Sequence, residues 1–455
     1  MGGHRLSGLE EYLAHFFAAE TNRRLGDIDG IEFLREAKSG EAERLHGHVI
    51  VIGGGPAGLA AATELKRLGV PKVAVLEREP AAGGIPRHCG HSPFGMREFT
   101  RILTGPQYAK RLVAAARDAG VELLTSTTVV EANSGGRLLI TTDSGSEEIA
   151  ARRIVIATGV RETPRAARLI SGTRPLGVVN SGALQSMIYL KNRKPFERPV
   201  IVGTELVSFS ALQTCRHAKI HPVAVLEEAD RVTARWPSAL FARMAGVPLH
   251  LKTRLLGIEG DKYVSAVVVE DDRGNRRRIE CDGVILTGRF TPEVSLARSG
   301  HLAVDSASCG PVVDQFGRCS DSAYFATGNI LRPVETAGWS WNEGRQTGRW
   351  VADDLAGKLP RHDRELQITA ADHLIRFAVP QRVLMPHEKT GMQDLQMRFT
   401  RVAKGDLIAL GDKGVIWKRR MNVRPERRFL VPLKKLVGGC DGGRVELRFD
   451  ELGVV

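Results

Sequence analysis

Cysteine is scarce in this chain of 455 residues, and no two cysteines form a Cys-x-x-Cys pair. This spacing excludes the common zinc and iron–sulfur motifs, and it does not match the disulfide framework of a small secreted protein. We therefore predict no metal site and a reducing, cytoplasmic location. The six cysteines are Cys89, Cys215, Cys281, Cys309, Cys319 and Cys440.

Long apolar runs are also missing. No segment approaches the roughly 18–20 apolar residues that a membrane-spanning helix needs. The start of the chain has no apolar core of the kind found in secretory signal peptides, so we expect neither a signal peptide nor a transmembrane segment. Apolar residues at helical spacing predict instead a helical extension over residues 1–46. They are Leu9, Tyr12, Leu13, Phe16 and Phe17.

Acidic residues are fewer than basic residues. The chain has 65 Lys and Arg residues against 52 Asp and Glu residues, which gives a formal net charge of +13. Aromatic residues do not interleave with the excess basic residues, so the pattern does not predict nucleic-acid binding. A late basic segment is either a solvated face or a docking surface for an acidic subunit or an anionic membrane. Its residues are Lys418, Arg419, Arg420, Arg424, Arg427, Arg428, Lys434 and Lys435.

A glycine-rich stretch over residues 53–58, which we call the first loop, is the strongest motif in the chain. It follows a predicted buried strand, His48–Ile52, and opens a predicted helix, Pro56–Leu68. A second predicted strand, Lys72–Leu76, ends at Glu77 and completes a β-α-β unit. Strand, glycine loop, helix, strand and acid in this order are typical of a dinucleotide-binding fold.

Each glycine of the first loop has a physical role in such a fold. Gly53 lets the strand turn sharply into the helix, Gly55 lets the backbone approach a pyrophosphate, and Gly58 lets the helix pack closely on the sheet. The N–H groups at the helix N-terminus then hold the phosphates. Glu77 stands nineteen positions after Gly58, where its carboxylate can accept hydrogen bonds from the ribose hydroxyls.

A second unit with the same order of elements follows, and we call its glycine loop, residues 203–208, the second loop. Gly203 and Ser208 suit a nucleotide site, whereas Glu205 occupies the middle glycine position. A phosphate about 5 Å from this carboxylate would be repelled by roughly 3 kcal/mol at an effective dielectric near 20. Glu227, at the ribose position, would favour NADH over NADPH. Two interpretations remain, a working NADH site or a fold retained for architecture or subunit contact.

The remaining motifs favour FAD as the ligand of the first loop. Gly83 and Gly84 form a side-chain-poor segment that can pass beside the pyrophosphate and the flavin. A helix predicted to begin near Thr336–Gly338 would point its positive end at the flavin ring. This orientation favours the anionic reduced ring by roughly 0.3–2 kcal/mol.

With these motifs, the chain resembles the two-dinucleotide-binding-domain flavoproteins of the pyridine nucleotide–disulfide oxidoreductase superfamily over about residues 47–360. Further marks of the resemblance are Ala157-Thr158-Gly159 and Ala326-Thr327-Gly328-Asn329. In most of the superfamily an Asp at the last position bonds the ribityl chain, and Asn329 is expected to bond it without a charge. The residues that the resemblance assigns to FAD are Gly53, Gly55, Pro56, Ala57, Gly58, Glu77, Gly83, Gly84, Val129, Gly159, Gly328, Asn329, Thr336 and Trp339.

The two repeated units predict an α/β fold with two Rossmann-like FAD/NAD(P)-binding domains, the second inserted in the first. Shorter predicted strands, with turns near residues 403–406 and 411–414, predict a small β-rich C-terminal domain. The expected boundaries are 47–165 and 290–360 for the FAD-binding domain, 198–289 for the NAD(P)-binding-like domain and 361–455 for the C-terminal domain.

Within the superfamily, residues 83–91 and 336–341 resemble one branch, the FAD subunits of heteromeric amine, opine and hydroxyproline dehydrogenases. This branch is related to hydrogen cyanide synthase and to the large subunit of sarcosine oxidase. The resemblance implies an electron-handling FAD subunit that serves a small-molecule substrate together with a second flavoprotein subunit; any [2Fe–2S] cluster would be on another polypeptide. The alternatives are a self-contained NAD(P)H-dependent FAD oxidoreductase and a catalytically silent, flavin-bearing scaffold subunit.

His88, Cys89 and His91 are the candidate catalytic residues. Disulfide reductases of the superfamily carry two redox cysteines close together beside the flavin, and Cys89 has no such neighbour, so thiol–disulfide exchange is not predicted. Imidazole titrates near neutral pH, so His88 or His91 could move a proton or tune the flavin. Simple packing is the alternative role, and no further ligand set completes a metal site.

Overall fold

The computed structural model describes residues 48–234, 246–333, 335–360, 364–386, 390–438 and 443–452. The predicted helical extension and Cys440 lie outside the described residues. Two five-stranded parallel sheets and a C-terminal β region make up the described chain, which confirms the predicted fold class. None of the described helices has the length and the apolar composition that crossing a bilayer requires.

The first sheet is built from strands that are far apart in sequence. Its neighbouring strands all run parallel, and its central strands are buried on both faces, as expected for apolar runs without polar alternation. One edge strand comes from the chain after the second sheet is complete, so the second domain is inserted in the first. In spatial order the strands are Tyr324–Ala326, Arg153–Ile156, His48–Ile52, Lys72–Leu76 and Glu122–Leu124.

Helices cover one face of the first sheet, and a three-stranded antiparallel sheet covers the other. Successive side chains of a strand point to opposite faces. Val49 and Val51 therefore pack with the helices, while Ile50 and Ile52 pack with the small sheet. The helices are Pro56–Arg67, Gly105–Asp118 and Ala337–Leu355, and the small sheet contains Thr128–Asn133, Arg137–Thr142 and Gly145–Ala150.

The second sheet repeats the parallel arrangement in the inserted region. An antiparallel pair, Val160–Glu162 with Phe290–Pro292, lies where the chain leaves the first domain and returns to it. The strand Val178–Asn180 joins the second sheet, so that sheet begins before the expected boundary at residue 198. Three residues are too short a run to carry a periodic signal. In spatial order the strands are Val178–Asn180, Gly283–Leu286, Pro199–Val202, Ala224–Leu226 and Leu249–His250.

Two helices and a further sheet accompany the second sheet. The helices Ser181–Tyr189 and Leu206–His217 bury Leu184 and Phe209 against Ile201 of the central strand. A four-stranded sheet packs on the other side, where Val267 and Ile258 contact Val200 and Val284 within one core. Its strands are Ser171–Gly172, Thr253–Gly260, Val264–Asp271 and Arg276–Glu280.

The C-terminal region is β-rich, as predicted. Two sheets enclose one apolar core that includes Leu395, Leu407 and Phe449. A short helix, Leu433–Val437, follows the last strand of the smaller sheet. The larger sheet contains Arg382–Met385, Arg364–Ala370, Gly443–Glu451, Ala403–Gly411 and Gly414–Val423, and the smaller contains Ile375–Val379, Asp394–Phe399 and Phe429–Pro432.

The turn predicted at residues 403–406 is wrong, because these residues lie inside the strand Ala403–Gly411. The turn predicted at 411–414 does connect that strand to the next one. A Cβ on Gly405 would lie 2.3 Å from the carbonyl oxygen of Asp450 on the neighbouring strand. Glycine here marks a close approach of two backbones, and the sequence pattern does not distinguish this from a turn.

Candidate functional site

Of the three fingerprint glycines in the first loop, the fold requires Gly53 and Gly58 but not Gly55. Gly53 has a φ of +107°, and a Cβ there would lie 2.6 Å from the carbonyl oxygen of Ala157. A Cβ on Gly58 would lie 2.0 Å from the oxygen of Gly53. A Cβ on Gly55 would meet nothing nearer than Gly84 Cα at 3.9 Å. Packing therefore leaves open space at Gly55, where a pyrophosphate can approach the backbone.

The helix Pro56–Arg67 begins at this open space. Pro56 is its first residue, and its missing N–H is one that no helical carbonyl would accept. The N–H groups of Ala57 and Gly58 belong to the same first turn, which lacks intrahelical acceptors. These N–H groups and the positive end of the helix dipole form an anion site that fits the phosphates of FAD.

Glu77 is held at the end of the second strand, beside the first loop. Its Oε2 accepts the N–H of Gly54 at 2.9 Å, and its Oε1 accepts the N–H of Glu79 at 3.0 Å. Each carboxylate oxygen has a second lone pair. The side chain is thus fixed by the backbone and has acceptor positions left for the predicted hydrogen bonds from ribose hydroxyls.

Gly83 and Gly84 lie directly against the first loop. The N–H of Gly83 donates to the oxygen of Gly54 at 2.7 Å. Gly84 has a φ of +62°, and a Cβ there would lie 2.8 Å from Gly55 Cα. The side-chain-poor segment therefore passes beside the space that Gly55 leaves open, as the sequence indicated.

Three more of the predicted FAD residues have clear positions. Gly159 has a φ of +74° and faces open space after the strand Arg153–Ile156. Gly328 follows the neighbouring strand, and a Cβ there would lie 2.7 Å from Ala57 Cβ. Both follow strands at the same edge of the first sheet, where Gly328 contacts the first loop. The side chain of Val129 is buried in the core, so only its backbone is placed to face a ligand.

Asn329, which is expected to bond the ribityl chain, also has hydrogen bonds within the protein. Its Oδ1 accepts the N–H of Glu335 at 2.7 Å, and its Nδ2 donates to the carbonyl oxygen of Glu335 at 3.1 Å. The side chain therefore closes the segment between residues 329 and 335. One hydrogen of Nδ2 and one lone pair of Oδ1 remain for a ligand, because each of the two bonds uses only one of the two positions on its atom.

Thr336 and Trp339 lie at the start of the long helix Ala337–Leu355, as predicted. Thr336 is its N-cap residue. The ring of Trp339 has the guanidinium of Arg97 at 4.3 Å from its centroid and that of Arg428 at 3.9 Å. Trp339 thus joins the segment after Gly84, the long helix and the C-terminal domain at one point.

Cys89 and His88 face the helix Ser181–Tyr189 of the second domain. The Sγ of Cys89 lies 3.6 Å from Oε1 of Gln185, and a Cβ on Gly90 would lie 2.2 Å from the ring of Tyr189. Burial raises the pKa of the Cys89 thiol to about 12, so it is protonated at neutral pH. Burial, with a smaller effect from Arg87, lowers the pKa of His88 to about 4.

His91 is separated in role from His88 and Cys89. Its ring stacks at a tilt on Phe94, 5.3 Å between centroids, and its Nδ1 lies 3.4 Å from the oxygen of Ser92. Burial lowers its pKa. His91 thus has different side-chain contacts from His88 and Cys89, and a catalytic role for the three remains a prediction. Among the described residues, no group of three metal-ligating side chains occurs here or elsewhere.

Glu162 is a candidate site residue that the sequence did not indicate. Its Oε2 accepts the N–H of Gly182 at 2.7 Å, and its Oε1 is buried with no hydrogen-bond partner in the described chain. Burial raises its pKa, and the bond from Gly182 opposes that rise. A Cβ on Gly182 would lie 3.3 Å from Glu162 Oε2 and 4.0 Å from His88 Cε1. A carboxyl group and a neutral imidazole therefore flank the same glycine between the two domains.

The second loop has the backbone of a nucleotide site, but a side chain fills it. A Cβ on Gly203 would lie 2.5 Å from Glu205 Oε2, and a Cβ on Gly288 would lie 2.1 Å from Glu205 Oε1. Glu205 Oε2 also accepts the hydroxyl of Thr287 at 3.0 Å. Burial raises the pKa of Glu205, and nearby Glu227 raises it further. The carboxyl group occupies the place that a pyrophosphate needs.

The other predicted residues of the second loop have partners within the protein. Glu227 Oε2 accepts the hydroxyl of Thr204, and its Oε1 accepts the N–H of Ala229 at 3.0 Å. The hydroxyls of Ser208 and Thr287 are 2.7 Å apart. Glu227 has the same position in the second unit as Glu77 has in the first. Its Oε2 accepts a threonine hydroxyl, whereas Oε2 of Glu77 accepts a backbone N–H.

A protein-family model described as pyridine nucleotide-disulphide oxidoreductase matches residues 47–346 of this chain. Among solved structures, the thioredoxin reductase of T. acidophilum matches with a TM-score of 0.57 and 21% identity, covering 67% of this chain and 97% of that one. At this identity the structural likeness shows the fold alone. The family match confirms the superfamily that the motifs indicated.

Known proteins with related sequences are subunits of larger enzymes. The A subunit of opine oxidase from Agrobacterium tumefaciens (strain Ach5) is 24% identical over 313 residues, which are 62% of this chain and 60% of that protein. The alpha subunit of sarcosine oxidase from Corynebacterium sp. (strain P-1) is 28% identical over 284 residues, 58% of this chain and 28% of that protein. The HcnB subunit of hydrogen cyanide synthase from Pseudomonas aeruginosa is 28% identical over 343 residues, which are 68% of this chain and 66% of that protein. The chain therefore spans less than two thirds of each relative.

Proposed function

The chain belongs to the pyridine nucleotide-disulphide oxidoreductase family, and from this premise we propose that it is the electron-handling FAD subunit of a heteromeric amine-, opine- or amino-acid-type dehydrogenase. The difference between the two loops carries the proposal. Gly55 leaves open space at the first loop, whereas the side chain of Glu205 fills the same position of the second loop. In this proposal FAD binds at the first loop, and no nicotinamide dinucleotide binds at the second.

FAD, when bound, accepts or releases a hydride at its N5 atom. The chain's own residues bind and orient it. The N–H groups at the start of the helix Pro56–Arg67 hold the phosphates, and Glu77 accepts the ribose hydroxyls. The positive end of the long helix, at Thr336, faces the flavin and favours negative charge there.

His88 and Glu162, which lie beside Gly182 between the two domains, are the groups that could move a proton. His88 is neutral at pH 7 because burial lowers its pKa, and its Nδ1 has no partner in the described chain. Glu162 has a raised pKa and an unpartnered Oε1. Because both flank Gly182, a proton that the flavin takes up on reduction or releases on reoxidation could be held on the carboxyl group of Glu162 and exchanged through His88.

Electrons reach this chain from a small-molecule substrate by way of a second flavoprotein subunit. They do not come from NADH, since the carboxyl group of Glu205 excludes its pyrophosphate. The related chains are subunits of opine oxidase, sarcosine oxidase and hydrogen cyanide synthase, which supports a partner for this chain. We assign substrate oxidation to a second flavoprotein subunit, whereas any [2Fe–2S] cluster would be on a separate polypeptide.

Thiol–disulfide exchange is not part of the proposal, although the fold is shared with thioredoxin reductase. The nucleophile in that chemistry is a thiolate, and burial raises the pKa of Cys89 to about 12. All five described cysteines are free thiols. This is consistent with a reducing, cytoplasmic location.

The test is a flavin-reduction screen under anaerobic conditions. The chain would be purified alone and after co-expression with its neighbouring genes, and amino acids, opines and NADH would be mixed with each sample. We expect bleaching of the flavin absorbance by an amino acid or opine only in the co-expressed sample, with no rapid bleaching by micromolar NADH. Cys89→Ala should leave this reduction unchanged.

Other outcomes separate the alternatives. Rapid reduction of the isolated chain by NADH would establish a self-contained reductase and overturn the proposal. A flavin that no substrate or partner reduces would indicate a scaffold subunit.

A further inference from the structure

Leu169 is an exposed leucine with a backbone conformation that leucine rarely adopts. Its φ is +57° and its ψ is +33°, which places it in the left-handed region at the end of a short helical turn, Ala166–Arg168. Glycine or asparagine is the usual residue at such an end, because a larger side chain crowds the neighbouring carbonyl oxygen. Packing within the chain does not compensate for this strain, since Leu169 is 88% exposed.

Two nearby arginines hold Leu169 in this conformation. Each guanidinium donates to three backbone carbonyl oxygens, all at 3.2 Å or less. A strained residue persists only where the surrounding structure fixes it, and such residues are concentrated at functional sites. The carbonyl oxygens are those of Ile170, Ser171 and Thr173 for Arg165, and those of Thr163, Thr287 and Gly288 for Arg168.

The bonds of Arg168 attach this segment to the second loop. Thr287 and Gly288, whose oxygens it bonds, are the residues against which Glu205 lies. Leu206, the residue after Glu205, is also more than half exposed. The fixed leucine therefore belongs to the part of the second domain that binds no nucleotide in the proposed function.

Leu176 and Tyr263 continue the apolar surface along the edge of the four-stranded sheet. They are 60% and 59% exposed, and their backbones form a β-bridge. The edge strand Ser171–Gly172, which lies between Leu169 and Leu176 in the chain, pairs with the strand Thr253–Gly260. We call Leu169, Leu176 and Tyr263 the apolar edge. Single exposed apolar residues are common, whereas several large ones on one fixed edge are typical of interaction sites.

The charge beside the apolar edge indicates what kind of surface would cover it. Residues 163–176 include three arginines and no acidic residue. Arg165 and Arg174 lie close enough to repel each other, and the carbonyl groups that Arg165 bonds do not cancel its charge. A second copy docked by the same edge would add the same positive charges. A surface that carries carboxylates would instead attract them.

We propose that the apolar edge docks the second flavoprotein subunit, which receives Leu169 in an apolar pocket with carboxylates at its rim. The identity of this partner rests on the proposed function, whereas the docking point rests on Leu169 and on the two arginines that fix it. The second domain then keeps its fold for subunit contact and not for a nucleotide.

The test is the affinity between the FAD-loaded full chain and the flavoprotein subunit encoded by a neighbouring gene, measured by biolayer interferometry. Leu169→Gly removes the side chain and suits the left-handed conformation. We expect binding to weaken at least about tenfold, since burial of a leucine side chain contributes this much or more. The midpoint of urea unfolding should not fall. A leucine with only a structural role would show the reverse, a lower midpoint and an unchanged affinity.

Further variants assign the effect to the apolar side chain and to the charge. Leu169→Met keeps an apolar side chain and should retain most of the affinity. Lys219→Gly is the matched control, because Lys219 has a φ of +54° at the far end of the helix that begins at Leu206. It should leave the affinity unchanged. Arg174→Ala should make the affinity less dependent on salt, since salt screens exposed charges.

A photo-crosslinker identifies what covers the apolar edge. With p-benzoylphenylalanine in place of Leu169, we expect a crosslink to the co-expressed flavoprotein subunit, identified by mass spectrometry. A crosslink only to a second copy of this chain, or only to residues 1–46 of the same chain, would overturn the proposal.

Two outcomes separate the docking point from the subunit role. If Leu169→Gly binds the subunit as tightly as the unaltered chain does, the docking point is wrong and the subunit role stands. If the unaltered chain forms no complex with the subunit, both are wrong. If Leu169→Gly does not fold, the affinity of Leu169→Asn decides the question, because asparagine also tolerates the left-handed region.

Discussion

The two glycine loops have nearly the same backbone conformation, but only the first has open space for a ligand at its middle position. Gly53 and Gly203 have φ angles of +107° and +109°. Each N–H donates at 2.8 Å to the end of the neighbouring strand, at Leu76 in one case and at Leu226 in the other. Each loop leads into a helix of 12 residues. The turn and its scaffold are thus preserved in both units.

The difference between the loops lies in one side chain. At Gly55 the space above the helix N-terminus is open, and at Glu205 a carboxyl group fills it and bonds Thr287. In the proposed function, the second unit keeps the strand, turn and helix of a nucleotide site without binding a nucleotide. This is physically reasonable because the turn depends on Gly53 and Gly203 and not on the middle position.

The largest expected effect comes from giving the first loop the side chain of the second. Gly55→Glu should lower FAD affinity about a hundredfold, because a carboxylate near the pyrophosphate costs roughly 3 kcal/mol. The fold should persist, since a Cβ at Gly55 has open space. The flavin absorbance of the purified protein measures the loss, and circular dichroism checks the fold. Gly55→Ala is the control, with a smaller loss; full flavin content in Gly55→Glu would contradict the site.

A second exchange concerns the third position of each loop, Gly58 against Ser208. Gly58→Ser should destabilise the chain by about 1–3 kcal/mol, because overpacking of a close contact has this typical cost and a Cβ would lie 2.0 Å from the oxygen of Gly53. Urea unfolding measures the change. Ser208→Gly should cost less, since it removes only the contact with Thr287. An equal effect of the two substitutions would refute the difference in packing.

Opening the second loop should restore part of a nucleotide site. Glu205→Gly removes the carboxyl group, and we expect NADH affinity to rise about tenfold. This gain is smaller than loss of the whole charge repulsion would give, because the hydroxyl of Thr204 still donates to Glu227 at the ribose position. Quenching of protein fluorescence by NADH measures it. Glu228→Gly, which removes an exposed carboxylate paired with Arg289, is the control and should change little. No rise in Glu205→Gly would mean that more than this side chain closes the loop.

The smallest effect is a pH dependence of the second loop. Burial raises the pKa of Glu205, so its carboxyl group becomes neutral at a higher pH than an exposed glutamate as the pH falls. The charge repulsion is then lost, and NADH binding should strengthen modestly as the pH falls from 8 through the raised pKa of Glu205. Glu205→Gln, which is neutral throughout, should show a flatter profile; an identical profile would exclude Glu205 as the titrating group.

Local features of the fold could be predicted from the sequence because their signals are contiguous. The strand His48–Ile52, the first loop and the strand Lys72–Leu76 occur where the apolar run, the glycines and the acid at Glu77 indicated. Gly405 shows the limit of this approach, since its sequence neighbourhood suggested a turn and only the neighbouring strand explains the glycine.

Long-range contacts in the candidate site could not be predicted. Glu162 and His88 both lie near Gly182 of the second domain, and no short pattern links positions so far apart. Asn329 was expected to contact the ribityl chain, yet both its functional groups bond the backbone of Glu335. Which groups a polar side chain bonds depends on how the neighbouring segment folds, and the sequence pattern does not show that.

The sequence by itself determined that this chain has two nucleotide-binding folds and that only the first loop keeps its middle glycine, because backbone approach and helix dipoles depend on residues within one β-α-β unit. The tertiary structure decided that Glu205 turns inward to fill the second loop, that Cys89 is a buried thiol, and that two arginines hold the exposed Leu169 in a left-handed conformation. These properties arise from burial and from contacts between distant segments, and neither is encoded in the spacing of residues along the chain.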